Sequence, residues 1–190
     1  MSEHFLRKAL LLEYLTIAWN IFEGIASVIV GLMSGSVALM AYGLESSVEV
    51  FASSVVVWEL KGKESSKRQK LALKMIGVAY LVVSGYVFID ASLSLFNGEH
   101  SEKTVLGILL MVVSASIMLI LGLSKRSVGN KMGSDTVLAD AKFTLIDAAL
   151  SSTVFIGLIF NALFGWWWLD QALALFLAGA AFREGIKELI

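Results

Sequence analysis

Cysteine and proline are both absent from this 190-residue chain. Without cysteine no disulfide forms, and the redox compartment cannot be read from thiols. Charge is scarce: Asp, Glu, Lys and Arg are 16% of the residues, against about a quarter in an ordinary soluble domain, while hydrophobic residues reach 57%. The length suits one domain, but the composition is not that of a soluble one. A net charge of -1 gives no sign of a nucleic acid partner. The only two histidines, His4 and His100, fall outside the apolar runs and are expected to be solvated rather than to ligate metal. No H-E-x-x-H, no G-x-S-x-G and no phosphate-cradling glycine loop occurs. The chain is therefore not expected to be an enzyme or to carry a resident cofactor. No cleavable signal peptide is expected, because the first apolar run is too long for an h-region and lacks an A-x-A-like site.

What is present is a series of apolar runs. A helix needs about 20 largely apolar residues to cross the hydrocarbon of a bilayer. Six stretches qualify: Ala9 to Ser34, Val37 to Leu60, Leu71 to Phe96, Val105 to Leu123, Thr136 to Leu163 and Trp166 to Phe182. The expected fold class is all-α: a polytopic membrane protein of six transmembrane helices, with residues 1–190 as a single transmembrane domain in the lipid bilayer. Basic residues alternate between the connecting segments. Arg7 and Lys8 precede the first span. Lys61, Lys63, Lys67, Arg68 and Lys70 separate the second from the third, Lys125, Arg126 and Lys131 the fourth from the fifth, and Arg183 and Lys187 follow the sixth. Of the opposite segments, Gly35-Ser36, Asn97 to Lys103 and Phe164-Gly165, only the second holds a basic residue, Lys103. Both termini are thus expected in the cytoplasm, with Trp166, Trp167 and Trp168 at the outer interface.

Ionisable residues inside such spans cost about 2.5–3.5 kcal/mol each on insertion scales and need a reason to persist. Glu13, Glu23, Glu45, Glu49, Asp90, Asp140, Lys142, Asp147 and Asp170 are of this kind. Glu45 and Glu49 lie about 14–20 Å down the second span at about 1.5 Å per residue, near the middle of a core about 30 Å thick. Asp147 reaches the same depth from the other side. Glu45 and Glu49, four apart, share a helix face. Asp140 lies two turns before Asp147 on its stripe. Asn20, Glu23 and Ser27 form another stripe on the first span. Buried hydrogen bonds, or pairing with Lys142, would account for single acids. Three acids at one depth require protons or a cation. Glu13, Asp90 and Asp170, nearer span ends, are expected to be structural, and Lys142 to snorkel to the cytoplasmic interface.

The second and fifth spans also align at an offset of 98 positions. Gly35-Ser36 then matches Gly133-Ser134, Ala41 matches Ala139, Glu49 meets Asp147, and Ser53-Ser54 matches Ser151-Ser152, while Glu45 falls opposite Phe143. Two such helices would cross in opposite directions, as in the inverted repeats (here helices 1–3 and 4–6) of many transporters. Small residues such as Gly24, Gly31, Ser53 and Ser151 suit close helix approach.

At these residues the chain resembles the cation diffusion facilitator (cation efflux) family. Ser34 to Leu39, followed by Glu45-Ser46-Ser47-Val48-Glu49, resembles that family's S-x-S-x-A-L and its pair of ligands four apart. Val137-Leu138-Ala139-Asp140-Ala141 with Asp147 resembles its A-L-x-A-D-A-x-H-x-x-x-D. Trp168-Leu169-Asp170 resembles the start of its sixth helix. The resemblance implies a homodimeric, proton-coupled exporter of divalent transition metals, with two ligands from the second helix and two from the fifth. The departures are Phe143 where the family's histidine falls, Tyr42 for an aspartate, and Gln171 for a proline. The sequence ends at Ile190 with no counterpart of the family's cytoplasmic C-terminal domain, which implies a short, membrane-domain-only branch.

The expected function is divalent cation transport, as proton-coupled efflux in the cell (inner or plasma) membrane. Glu45, Glu49 and Asp147 are the metal ligands. Asp140, Asn20, Glu23, a backbone carbonyl or water supplies a fourth, and Asp140 serves as a cytoplasmic way-station. Oxygen-only ligation favours manganese or another hard cation, whereas the family favours zinc. Protons and metal would compensate the same negative charge in turn. The alternatives are a non-transporting membrane partner of another transporter and a cation or proton channel.

Overall fold

A computed structural model describes residues 3–34, 37–62, 65–98, 105–166 and 168–190. Gly35, Ser36, Lys63, His100, Lys103 and Trp167 lie outside the described residues, as does the side chain of Asp170. The described chain holds six α-helices and no strand: α1 (Glu3–Ser34), α2 (Val37–Leu60), α3 (Ser66–Asn97), α4 (Val105–Met132), α5 (Asp135–Phe164) and α6 (Leu169–Leu189).

Polarity runs opposite to that of a water-soluble bundle. On α1 the residues at helical spacing Glu13, Thr16, Asn20, Glu23 and Ser27 are buried, while Leu11, Leu15, Phe22, Ile25 and Ile29 face outward. The outer faces of α3 and α4 likewise carry Phe88, Ile89, Leu93, Leu109 and Ile120. Large apolar side chains gain nothing by facing water, so this arrangement suits hydrocarbon as the surrounding solvent. Three helices, α1 (Glu3–Met33), α3 and α4, are long and apolar enough by length and composition to cross a membrane. The chain is a multi-pass membrane protein.

The helices extend beyond the apolar runs. The first begins at Glu3, where Arg7 pairs with Glu3 at 3.1 Å across one turn, and the fourth continues past Leu123 to Met132. Hydropathy detects the part of a helix that suits lipid, whereas backbone hydrogen bonding carries it on into charged sequence. One expectation is overturned as a result. Lys125 is not in a loop between the fourth and fifth spans but is a fully buried residue of α4.

Packing is closest in three pairs: α1 with α2, α4 with α5, and α3 with α6. Glycine permits each contact. A methyl group placed on Gly43 would lie 2.7 Å from the Gly24 carbonyl oxygen, and one on Gly77 would lie 3.0 Å from that of Gly185. Leu145 of α5 fills the notch at Gly122 of α4. The α4–α5 hairpin turns at Gly133, whose φ of 63° suits glycine, and the Val137 N–H donates to the Ser134 hydroxyl at 3.4 Å to open α5. The apolar core joins Val56, Ile76, Tyr80, Met118, Val137 and Phe143, leaving the polar faces of α1, α2, α4 and α5 to meet each other.

Candidate metal centre

The second and fifth helices present their acids to one another. Glu45 and Glu49, a turn apart on α2, are buried, as are Asp140, Thr144 and Asp147 on α5. Asp147 lies within electrostatic range of Glu23, Glu45 and Glu49, and Glu45 in turn of Glu49, Glu23 and Asp90. Four acids from three helices thus neighbour one another: Glu23, Glu45, Glu49 and Asp147. The Tyr42 hydroxyl sits among them, 3.1 Å from the Ser114 hydroxyl and 2.5 Å from that of Ser151, against the carboxyls of Glu23 and Asp147. The Ser114 hydroxyl also donates to Glu23. Tyr42, a departure from the family pattern, therefore joins α2, α4 and α5 beside the acids.

Three of these four acids keep an oxygen in reserve. Glu49 Oε1 accepts the Thr144 hydroxyl at 2.5 Å, but its Oε2, Glu23 Oε2 and Asp147 Oδ2 have no hydrogen-bond partner among the described residues. Buried oxygens without donors are costly, and a cation or a proton satisfies them. Among the described residues no group of three or more Asp, Glu or His converges closely enough to hold an ion as it stands. The carboxylates are neighbours that a shared cation would have to draw together.

Asp140 and Asn20 are placed differently. Asp140 pairs with the Lys125 ammonium at 2.5 Å, and Glu13 of α1 pairs with the same ammonium at 2.8 Å. Lys125 also donates to the hydroxyls of Ser53 and Thr144, each at 3.2 Å. Lysine has no acceptor, so Thr144 Oγ1 must accept from Lys125, and its single proton goes to Glu49. The ammonium thereby orients, through Thr144, the Glu49 carboxyl that it does not touch. The Asn20 amide donates to the Thr16 carbonyl oxygen at 3.0 Å and approaches Met118 Sδ at 3.9 Å, and its own oxygen has no partner among the described residues.

Lys142 stands away from these acids. It is half-exposed and pairs with Glu184 at 3.0 Å and Glu188 at 3.9 Å at the end of α6. Hydrogen bonds from Lys187 and then Lys142 hold the Glu184 carboxyl below its usual range, while burial raises that of Glu188. Phe143 packs edge-on against Tyr80 at 4.6 Å between ring centres, and the Tyr80 hydroxyl donates to the Ala139 carbonyl oxygen at 3.0 Å. An aromatic contact with α3 thus occupies the position of the family's histidine.

Sequence reasoning missed Lys125 and with it the role of Thr144. The signal was there in spacing: Ser114, Met118, Gly122, Lys125 and Gly129 follow one face of α4 at steps of three and four, and all are buried.

The family description that matches residues 14–190 is the cation efflux transmembrane domain. Magnetosome protein MamB of Magnetospirillum gryphiswaldense is 28% identical over 153 residues, which cover 75% of this chain and 50% of MamB. MamB of Paramagnetospirillum magneticum is 27% identical with the same coverage. Transmembrane protein 163 of Xenopus laevis is 21% identical over 193 residues, covering 100% of this chain and 69% of that protein. The chain spans about half the length of the MamB relatives. With acids of α2 and α5 side by side and a family match over nearly its whole length, this chain belongs to the cation efflux family, a family of membrane cation transporters.

Proposed function

We propose that the chain carries divalent cations across the membrane at Glu45, Glu49 and Asp147, with Glu23 beside them and protons as the exchanged ion. The observation that carries this reading is a charge imbalance. Among the described residues six acids are buried, Glu13, Glu23, Glu45, Glu49, Asp140 and Asp147, against one buried base, Lys125. That base is already engaged by Glu13 and Asp140. The remaining four carboxyls must be protonated or must share a cation, because unpaired charges are not tolerated at such depth. Alternation between the two states is proton–metal exchange. An all-oxygen donor set favours Mn²⁺ or another hard cation, while zinc remains the family's implication.

Six crossings with both termini in the cytoplasm place Glu49 and Asp147 at one depth. An inverted repeat of α1–α3 and α4–α6 gains support from the glycines: Gly24 and Gly31 match Gly122 and Gly129 at the offset that relates Glu49 to Asp147. Pairing of α1 with α2 is likewise repeated as pairing of α4 with α5.

The test is uptake of Mn²⁺ and Zn²⁺ into proteoliposomes holding the purified chain, with internal pH recorded. Glu49→Gln with Asp147→Asn should abolish metal flux and the coupled pH change. Wild-type flux in that double variant refutes the site, and absence of flux in the wild type favours a non-transporting partner.

A further inference from the structure

Two of the central acids are held by hydroxyls from a neighbouring helix. Glu49 accepts from Thr144, which is itself fixed by the Lys125 ammonium. Glu23, fully buried on α1, accepts through Oε1 from Ser114 of α4. Counting protons shows that Ser114 is fixed from behind as well. A hydroxyl has one proton to donate. Ser114 directs its own at Glu23, so at 3.1 Å from Tyr42 it accepts and Tyr42 donates. Tyr42 then has no proton for Ser151, 2.5 Å away, and accepts from it. Ser151 has another acceptor in reach, the Asp147 carbonyl oxygen at 2.9 Å. A proton turned there would leave the Tyr42 and Ser151 oxygens 2.5 Å apart with no hydrogen between them.

The chain Ser151, Tyr42, Ser114, Glu23 thus crosses α5, α2, α4 and α1 and ends on one carboxylate oxygen. Every member is buried. Away from water, linked hydroxyls polarise one another and hold their final acceptor in one orientation. The neighbours show what that orientation serves. Glu23 lies within electrostatic range of Glu45, Glu49 and Asp147 alike. Its Oε2 has no hydrogen-bond partner among the described residues. Asp140 and Asn20 are engaged elsewhere, the first with the Lys125 ammonium and the second, through its amide nitrogen, with the Thr16 carbonyl oxygen.

We propose that Tyr42 and Ser114 are positioning residues for the divalent cation: their relayed hydrogen bond fixes Glu23 Oε1 and so presents Glu23 as the fourth carboxylate beside Glu45, Glu49 and Asp147. A carboxylate already fixed through one oxygen loses less freedom when the other meets a cation. The proposal rests on the transporter reading, and its test separates the two.

Tyr42→Phe removes the hydroxyl and keeps the ring, which packs with Leu39 and Met111. Calorimetry on the purified full chain in detergent measures Mn²⁺ affinity for the wild type, Tyr42→Phe, Glu23→Gln and the double variant, each taken as a monodisperse gel-filtration peak. Tyr42→Phe should weaken binding about fivefold, the scale of one buried hydrogen bond. Glu23→Gln should weaken it at least as much, and Tyr42→Phe should add nothing further in that background. Ser114→Ala should behave as Tyr42→Phe does, and it takes that place in the cycle if Tyr42→Phe does not fold. Ser114→Thr, which keeps the hydroxyl, should retain wild-type affinity. Wild-type affinity in Tyr42→Phe or in Glu23→Gln overturns the proposal. So does an equal loss from Tyr42→Phe with and without Glu23, which is what a merely structural role would give. A wild type that binds no Mn²⁺ overturns it too. Mn²⁺ bound with the expected coupling but never carried into proteoliposomes refutes transport and leaves the role of Tyr42 standing.

Discussion

Lys125 and Thr144 show how one buried base organises an acidic centre. The ammonium has four oxygen partners on α1, α2 and α5, and Thr144 passes its influence to Glu49. Lys125→Met would strand Glu13 and Asp140 without compensation, a loss of about 3–5 kcal/mol by analogy with other broken buried pairs. A marked fall in melting temperature in detergent is expected. The triple variant Glu13→Gln/Lys125→Met/Asp140→Asn should recover most of it, because it leaves no buried charge unpaired. Thr144→Val removes a hydrogen bond to a charged group, typically about 1.5–3 kcal/mol. It should raise the KM for the transported ion in proteoliposomes, and Thr144→Ser should restore it. An unchanged KM in Thr144→Val would show that Glu49 needs no such orientation. The acids themselves were legible in sequence, since charge inside an apolar run stands out. Their orienting partners were not, because a threonine and a lysine at a helix end look ordinary until tertiary contact surrounds them.

At the scale of the helix, small residues decide how near two backbones come. Gly43 of α2 faces Gly24 of α1 with no room for a methyl group, and Val28 Cγ2 would lie 2.8 Å from it. Gly43→Ala should cost about 1–3 kcal/mol through overpacking and separate α1 from α2, lowering the melting temperature. Gly179 of α6 has nothing within 4 Å of an added methyl. Gly179→Ala should be neutral or stabilising, by up to about 1 kcal/mol of helix preference. Equal effects of the two substitutions would refute the assigned contact. The sequence marked Gly24 and Gly31 as candidates for close approach, and the α1–α2 crossing puts Gly24 to that use. Which helix each glycine faces depends on rotation about the helix axis, and apolar runs with apolar residues on every side do not specify it.

For the whole molecule, the proposed topology has a direct test because no native cysteine interferes. Single cysteines at Ser65, Ser134 and Asn97 report on three connections between helices. A membrane-impermeant maleimide applied to intact cells should label Asn97→Cys and leave Ser65→Cys and Ser134→Cys unmodified until the membrane is opened. The reverse pattern would invert the orientation, and labelling of all three would refute six crossings. Clustering of Lys and Arg in alternate connections is the basis for the expected side.

The sequence by itself determined that the chain is helical and lives in lipid, and it singled out the acids of the second and fifth helices. Apolar runs suit few other structures, and a charge within them is conspicuous because it is costly. The tertiary structure decided what surrounds those acids. It moved Lys125 from an expected loop into the interior, set Thr144 on Glu49 and turned Phe143 onto Tyr80. Each of these contacts joins residues on different helices. Hydrophobicity places a helix in the bilayer, but only close packing and the pairing of polar groups select which of its faces meet which neighbour.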